Sequence, residues 1–93
     1  MNKEEFKAKA NQKIDEISAK INEFEAKKEF IKDDVKQKYE ETIKDLEASK
    51  VELQAKYDEL VAASDEKWDE IKAAFSSAAD SFKEGFSKIS SLF

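Results

Sequence analysis

Apolar side chains recur at helical spacing almost from one end of this chain to the other, and no proline interrupts them. Ile14, Ile17, Ile21, Phe24, Ile31 and Val35 step by three, four or seven residues, which is the a/d spacing of a coiled-coil seam. Tyr39, Ile43, Leu46, Leu53, Tyr57 and Leu60 make a second seam, displaced by one position from the first. A slip of this kind is a stutter if the helix runs on. It is a turn if the helix ends there.

Two places can break the helix. At Lys32-Asp33-Asp34, lysines precede and aspartates follow, as suits a C-terminus meeting an N-terminus, and Gln37 holds the capping-box position relative to Asp34. No Gly or Asn offers a left-handed C-cap there. At Ser64-Asp65, a good N-cap residue is followed by a crowd of acids, Asp65, Glu66, Asp69 and Glu70. The second signal is the stronger. The expectation is therefore an all-α, elongated coiled coil: one domain over residues 1–93, with a long helix over about 4–62 and an amphipathic helix over about 65–92. The first helix would be about 90 Å long at 1.5 Å per residue. Such a helix cannot bury its stripe alone, so a homo-oligomer is expected. The alternative is a three-helix bundle turning near residues 33 and 64.

The polar faces agree with helix. Glu5–Lys9, Glu16–Lys20, Glu23–Lys27, Glu40–Lys44 and Glu52–Lys56 are i,i+4 pairs in the favourable order, each contributing about 0.2–0.5 kcal/mol in an isolated helix. They read as a solvated surface.

The residue types narrow the chemistry. The chain has no His and no Cys, which removes a Ser-His-Asp triad, a thiol nucleophile and the common zinc sites. The lone glycine, Gly85, cannot build a phosphate-cradling loop. Adjacent carboxylates such as Asp69 and Glu70 point apart on a helix. No enzyme activity, cofactor, metal or small-molecule substrate is expected. All 17 basic residues are Lys and the net charge is −5, which argues against nucleic acid. The charged start, Met1 to Glu5, leads into no apolar run, so no secretory signal is expected. The longest apolar stretch, Leu60 to Ala63, is far short of a bilayer span. A cytoplasmic location follows, with a place at the membrane periphery as the alternative.

From Trp68 onward the pattern changes. Trp68, Ile71, Phe75, Phe82, Phe86, Ile89 and Phe93 form a broad apolar face. The opposite face is rich in serine, from Ser76 to Ser91, and nearly free of charge. This is the candidate interaction face. Its first reading is packing within a self-associating, non-enzymatic scaffold. Its second is a lipid-packing sensor lying in a membrane interface. A weaker third is a holder for chaperone clients. Gly85, which lowers helix stability by about 1 kcal/mol against Ala, suits either a segment that orders on a surface or close helix packing.

The stretch Ser64-Asp65-Glu66-Lys67-Trp68-Asp69-Glu70-Ile71-Lys72, with the serine-rich end at Phe93, resembles the C-terminal part of a group of small bacterial coiled-coil proteins of uncharacterised function. Lys67 departs from the small residue expected before the Trp. The resemblance implies a bacterial, all-helical protein with Trp68 as a packing anchor, and it carries no catalytic residue.

Overall fold

The computed structural model describes residues 2–92 and is all-α, with no strand among the described residues. The helices are α1 (Lys3–Lys27), α2 (Asp33–Ala62) and α3 (Trp68–Ser90). Met1 and Phe93 lie outside the described residues. The expected continuous helix over 4–62 does not form. The breaks fall where the alternative placed them, near 33 and 64, and the longest dimension is 50 Å against 17 Å for the other two.

The first break needs no glycine. Residues Lys28–Phe30 tighten into a 3-10 turn, and Ile31 and Lys32 are extended, at φ −86°, ψ 138° and φ −63°, ψ 145°. Every described residue has negative φ, so the left-handed cap sought in the sequence is not the device used. The turn is closed by the Ile31 N–H donating to the Lys28 carbonyl at 3.3 Å and the Val35 N–H donating to the Lys32 carbonyl at 3.1 Å. Ile31 is buried while Phe30 beside it is 83% exposed. The slip in apolar phase is therefore a turn and not a stutter.

The other ends are also local chemistry. Asn2 caps α1: its side chain accepts from the Glu5 N–H at 2.8 Å and donates to the Glu5 carboxylate at 3.2 Å. The first bond is an N-cap, and the second is a side-chain bond that steadies it. After α2, Ala63 is extended at φ −66°, ψ 136°. A turn then delays α3 to Trp68, three residues later than the expected start at 65. Ser64 contributes its carbonyl, which accepts from the Lys67 N–H at 3.1 Å.

Pairings across the core give the topology. Tyr39 meets Phe24 and Lys50 meets Ser18, so α2 runs antiparallel to α1. Tyr57 meets Phe75 and Leu46 lies under Gly85, so α3 runs antiparallel to α2. Phe6 against Trp68 and Phe24 against Phe86 set α3 parallel to α1. The two seams of the sequence analysis face each other in one core, with Ile14, Ile17 and Ile21 from α1 and Tyr39, Leu46, Leu53 and Leu60 from α2 all buried. Each large apolar side chain so buried contributes about 1.5–3 kcal/mol. The Tyr39 hydroxyl donates to the Phe24 carbonyl at 2.5 Å, in the last turn of α1, where helix carbonyls run short of helical donors. Burial, and then the nearby Glu25 charge, push the Tyr39 phenol above its ordinary value.

Candidate interaction surface

The candidate face on α3 is turned inward. Trp68, Phe75, Phe82 and Ile89 are buried, and Ile71 and Phe86 are half-buried. Phe93, the last member, lies outside the described residues. The face forms an aromatic spine along α1. Trp68 meets Phe6 edge-on at 5.9 Å between ring centroids, and Phe75 meets it at 6.2 Å. Phe86 stacks on Phe24 at 5.9 Å. Such pairs add about 0.5–1.5 kcal/mol beyond area burial.

These rings also set the spacing of the helices. α2 packs along both neighbours, whereas α1 and α3 hold their backbones further apart. The aromatic bridges span that gap and leave grooves between them. One groove of about 510 Å³ is bordered by Lys13, Ile17, Lys20, Lys83, Phe86 and Ser90. A smaller one of about 220 Å³ lies nearer the start of α1, over Phe6, Ala10, Phe75 and Ala79. Together they make a shallow seam, apolar over Phe6, Ala10, Phe75 and Ala79, and mixed in the larger groove, where Ile17 and Phe86 lie among charged and serine side chains.

Lysines rim the seam. Lys20 lies over the Phe86 ring at 5.3 Å, Lys72 over Phe6 at 5.2 Å, and Lys3 and Lys7 over Trp68 at 5.4 and 5.9 Å. Cations are attracted to ring faces in this geometry. Lys3 also pairs with Asp65, tying the second turn to the start of α1. That hydrogen bond and the lysine charge hold the Asp65 carboxyl below its ordinary value. Of the five i,i+4 pairs expected, Glu23–Lys27 closes, at 3.2 Å. Glu5 is engaged at the N-cap, and Lys9 and Lys20 face the seam instead of pairing with Glu5 and Glu16. The seam was therefore missed for a physical reason: the local pairing rule knows one helix, and the neighbour that redirects these lysines lies more than sixty residues away.

Among the described residues no group of His, Cys, Asp or Glu is placed to hold a metal ion, and no buried side-chain polar atom lacks a partner. No helix among them is long and apolar enough to cross a membrane. What the surface offers is apolar contact framed by positive charge, with serine hydroxyls at one end. Comparison with family models, with curated proteins and with solved structures finds no match to this chain in any of the three.

Proposed function

We propose that this chain is a non-enzymatic helical interaction module that associates with copies of itself, with contacts made along the side of α3 that borders α1. The observation that supports this reading is the open α1–α3 seam, where two grooves expose part of Phe6 and Phe86 beside the buried Ala10 and Phe75. Concave ground with some apolar lining and polar side chains around it is where binding sites form. Sedimentation velocity from micromolar to millimolar protein tests it. A mass that climbs with concentration is expected. A monomer throughout that range overturns it.

A second reading, in which α3 binds lipid through its aromatic face, is favoured by the uncharged, exposed Ser77, Ser81, Ser87 and Ser90. It requires α3 to leave the other helices. Exposing Trp68, Phe75, Phe82 and Ile89 costs about 1.5–3 kcal/mol each. The total is comparable to the whole stability of a small domain, about 5–15 kcal/mol. The packed form is therefore the better starting point. Trp68 fluorescence separates the two readings. Emission already blue in buffer and unmoved by small, loosely packed vesicles goes with a packed α3. A red emission that shifts blue on adding lipid goes with insertion.

A further inference from the structure

We infer that copies of this chain stack front to back, with the outer face of α2 of one copy seated in the lysine-rimmed α1–α3 seam of the next. This rests on the self-association reading above and names the partner surface.

The front is basic. Among the described residues, Lys9, Lys13, Lys20, Lys72 and Lys83 have no carboxylate within ion-pair distance, while Lys3 and Lys7 are held by Asp65 and Glu4. Glu16 and Asp80 are the acids that border the two grooves. Lys9, Lys13 and Lys20 line the α1 bank, and Lys72 and Lys83 line the α3 bank. Between them lie Phe6, Ala10, Phe75 and Ala79 in one groove and Ile17 and Phe86 in the other.

The back is its complement. α2 carries nine carboxylates against five lysines, so most of the net charge of −5 sits on this helix. At 3.6 residues per turn, the positions opposite its buried seam are Ala48, Val51 and Ala55, all exposed, with Val51 at 67%. Glu41, Glu52 and Glu59 flank this stripe on one side, and Glu40 and Asp58 flank it on the other, again all exposed. Lys44 lies along the same face, and Lys56 pairs with Glu59 at 3.8 Å. A narrow apolar ridge between two acidic rows thus matches a partly apolar seam between two basic rows. The small Ala and Val side chains let a helix sit low in the groove.

Geometry then sets the form of the assembly. Because α2 packs against both α1 and α3, its outer face and the seam lie on opposite sides of the chain. No two-fold dimer can satisfy both, so each copy added presents a fresh acceptor and a fresh donor. Such heterologous contacts propagate into open chains unless a ring closes. Association should also weaken as salt screens the facing charges.

The test uses two full-length variants. Lys20→Glu/Lys83→Glu disables the front, and Glu52→Lys/Glu59→Lys disables the back. All four positions are exposed, and circular dichroism with a melting curve checks that each variant folds. Lys20→Gln/Lys83→Gln replaces the first pair should the reversal disturb the fold. Wild type should pass beyond dimer in the ultracentrifuge, with lower mean mass at high salt. Each variant alone should stay monomeric. The two mixed should form a 1:1 dimer and stop there, because only one productive face remains on each. If wild type associates but the mixture does not pair, or either variant assembles like wild type, the copies meet by other surfaces, and self-association stands without this arrangement. A wild type that stays monomeric overturns both. A monomeric wild type whose seam lysines are needed for binding anionic vesicles would replace the second copy with lipid as the occupant.

Discussion

Gly85 gives the sharpest test of whether α3 is packed as described. A Cβ added there would lie 2.6 Å from Leu46 Cδ2 and 3.8 Å from Leu46 Cγ. Comfortable carbon contacts are about 3.5–4.0 Å, so in Gly85→Ala the Leu46 methyl must move by roughly 1 Å. It has somewhere to go, since Leu46 and Gly85 border a groove of about 140 Å³. Turning it away from its preferred rotamer costs about 0.5–1.5 kcal/mol. Against that, alanine gains about 0.8–1.0 kcal/mol over glycine inside a helix. The two nearly cancel, and Gly85→Ala should leave stability within about 0.5 kcal/mol of wild type.

The cancellation is exposed by removing its source. In a Leu46→Val background the δ-methyls are gone, and Gly85→Ala should stabilise by about 1 kcal/mol. Urea unfolding of the four proteins, followed by circular dichroism, yields the coupling, expected at about 0.5–1.5 kcal/mol. If Gly85→Ala stabilises by the full propensity gain in both backgrounds, Leu46 does not lie against Gly85. The glycine would then belong to a helix free of α2, as the membrane reading requires.

Tyr39→Phe removes the donor to the Phe24 carbonyl and should destabilise by about 0.5–1.5 kcal/mol at neutral pH in chemical unfolding. Because the folded phenol titrates above its ordinary value of 10.0, the unfolded chain ionises first as pH rises. Wild type therefore loses stability above about pH 10 that the Phe variant never had, and the gap between them should narrow there. Phe82→Ser should lower stability by about 3–5 kcal/mol and move Trp68 emission to the red, whereas a lipid-only role for Phe82 would leave both unchanged in buffer. At the first turn, Ile31→Ala should cost about 2–5 kcal/mol if the site cannot collapse, while Phe30→Ala should change the melting temperature little. Equal effects from these neighbours would contradict the turn. Asn2→Ala removes the α1 cap and should cost about 0.5–2 kcal/mol, read by thermal melting.

The helices themselves were legible because apolar spacing is a strong signal over long stretches, and both breaks left a mark in it. The first break carries no glycine and no left-handed residue. Ile31 and Lys32 turn the chain through extended backbone that any residue adopts, so this turn needs neither. On α3, Trp68, Phe75, Phe82 and Ile89 share a helical spacing and are all buried. Their periodicity states that the face must be covered and is silent on what covers it. Phe6, a lone aromatic at the start of the chain, turns out to bridge to Trp68 and Phe75, and nothing in the local sequence links them.

The lysines carry the same lesson in charge. Glu16–Lys20 and Glu5–Lys9 have ideal spacing for pairs along one helix, each pair contributing only about 0.2–0.5 kcal/mol. A ring face is a comparable attraction, at about 0.5–1 kcal/mol in exposed positions. So weak a local preference yields once α3 arrives with Phe86, and Lys20 turns toward the ring. The five-residue break between α1 and α2 is thus the decisive feature of the chain. By folding α2 back on α1, it satisfies within one molecule the seams that a continuous helix would have to share with another. It also puts the acidic outer face of α2 and the lysine-rimmed seam on opposite sides of the molecule.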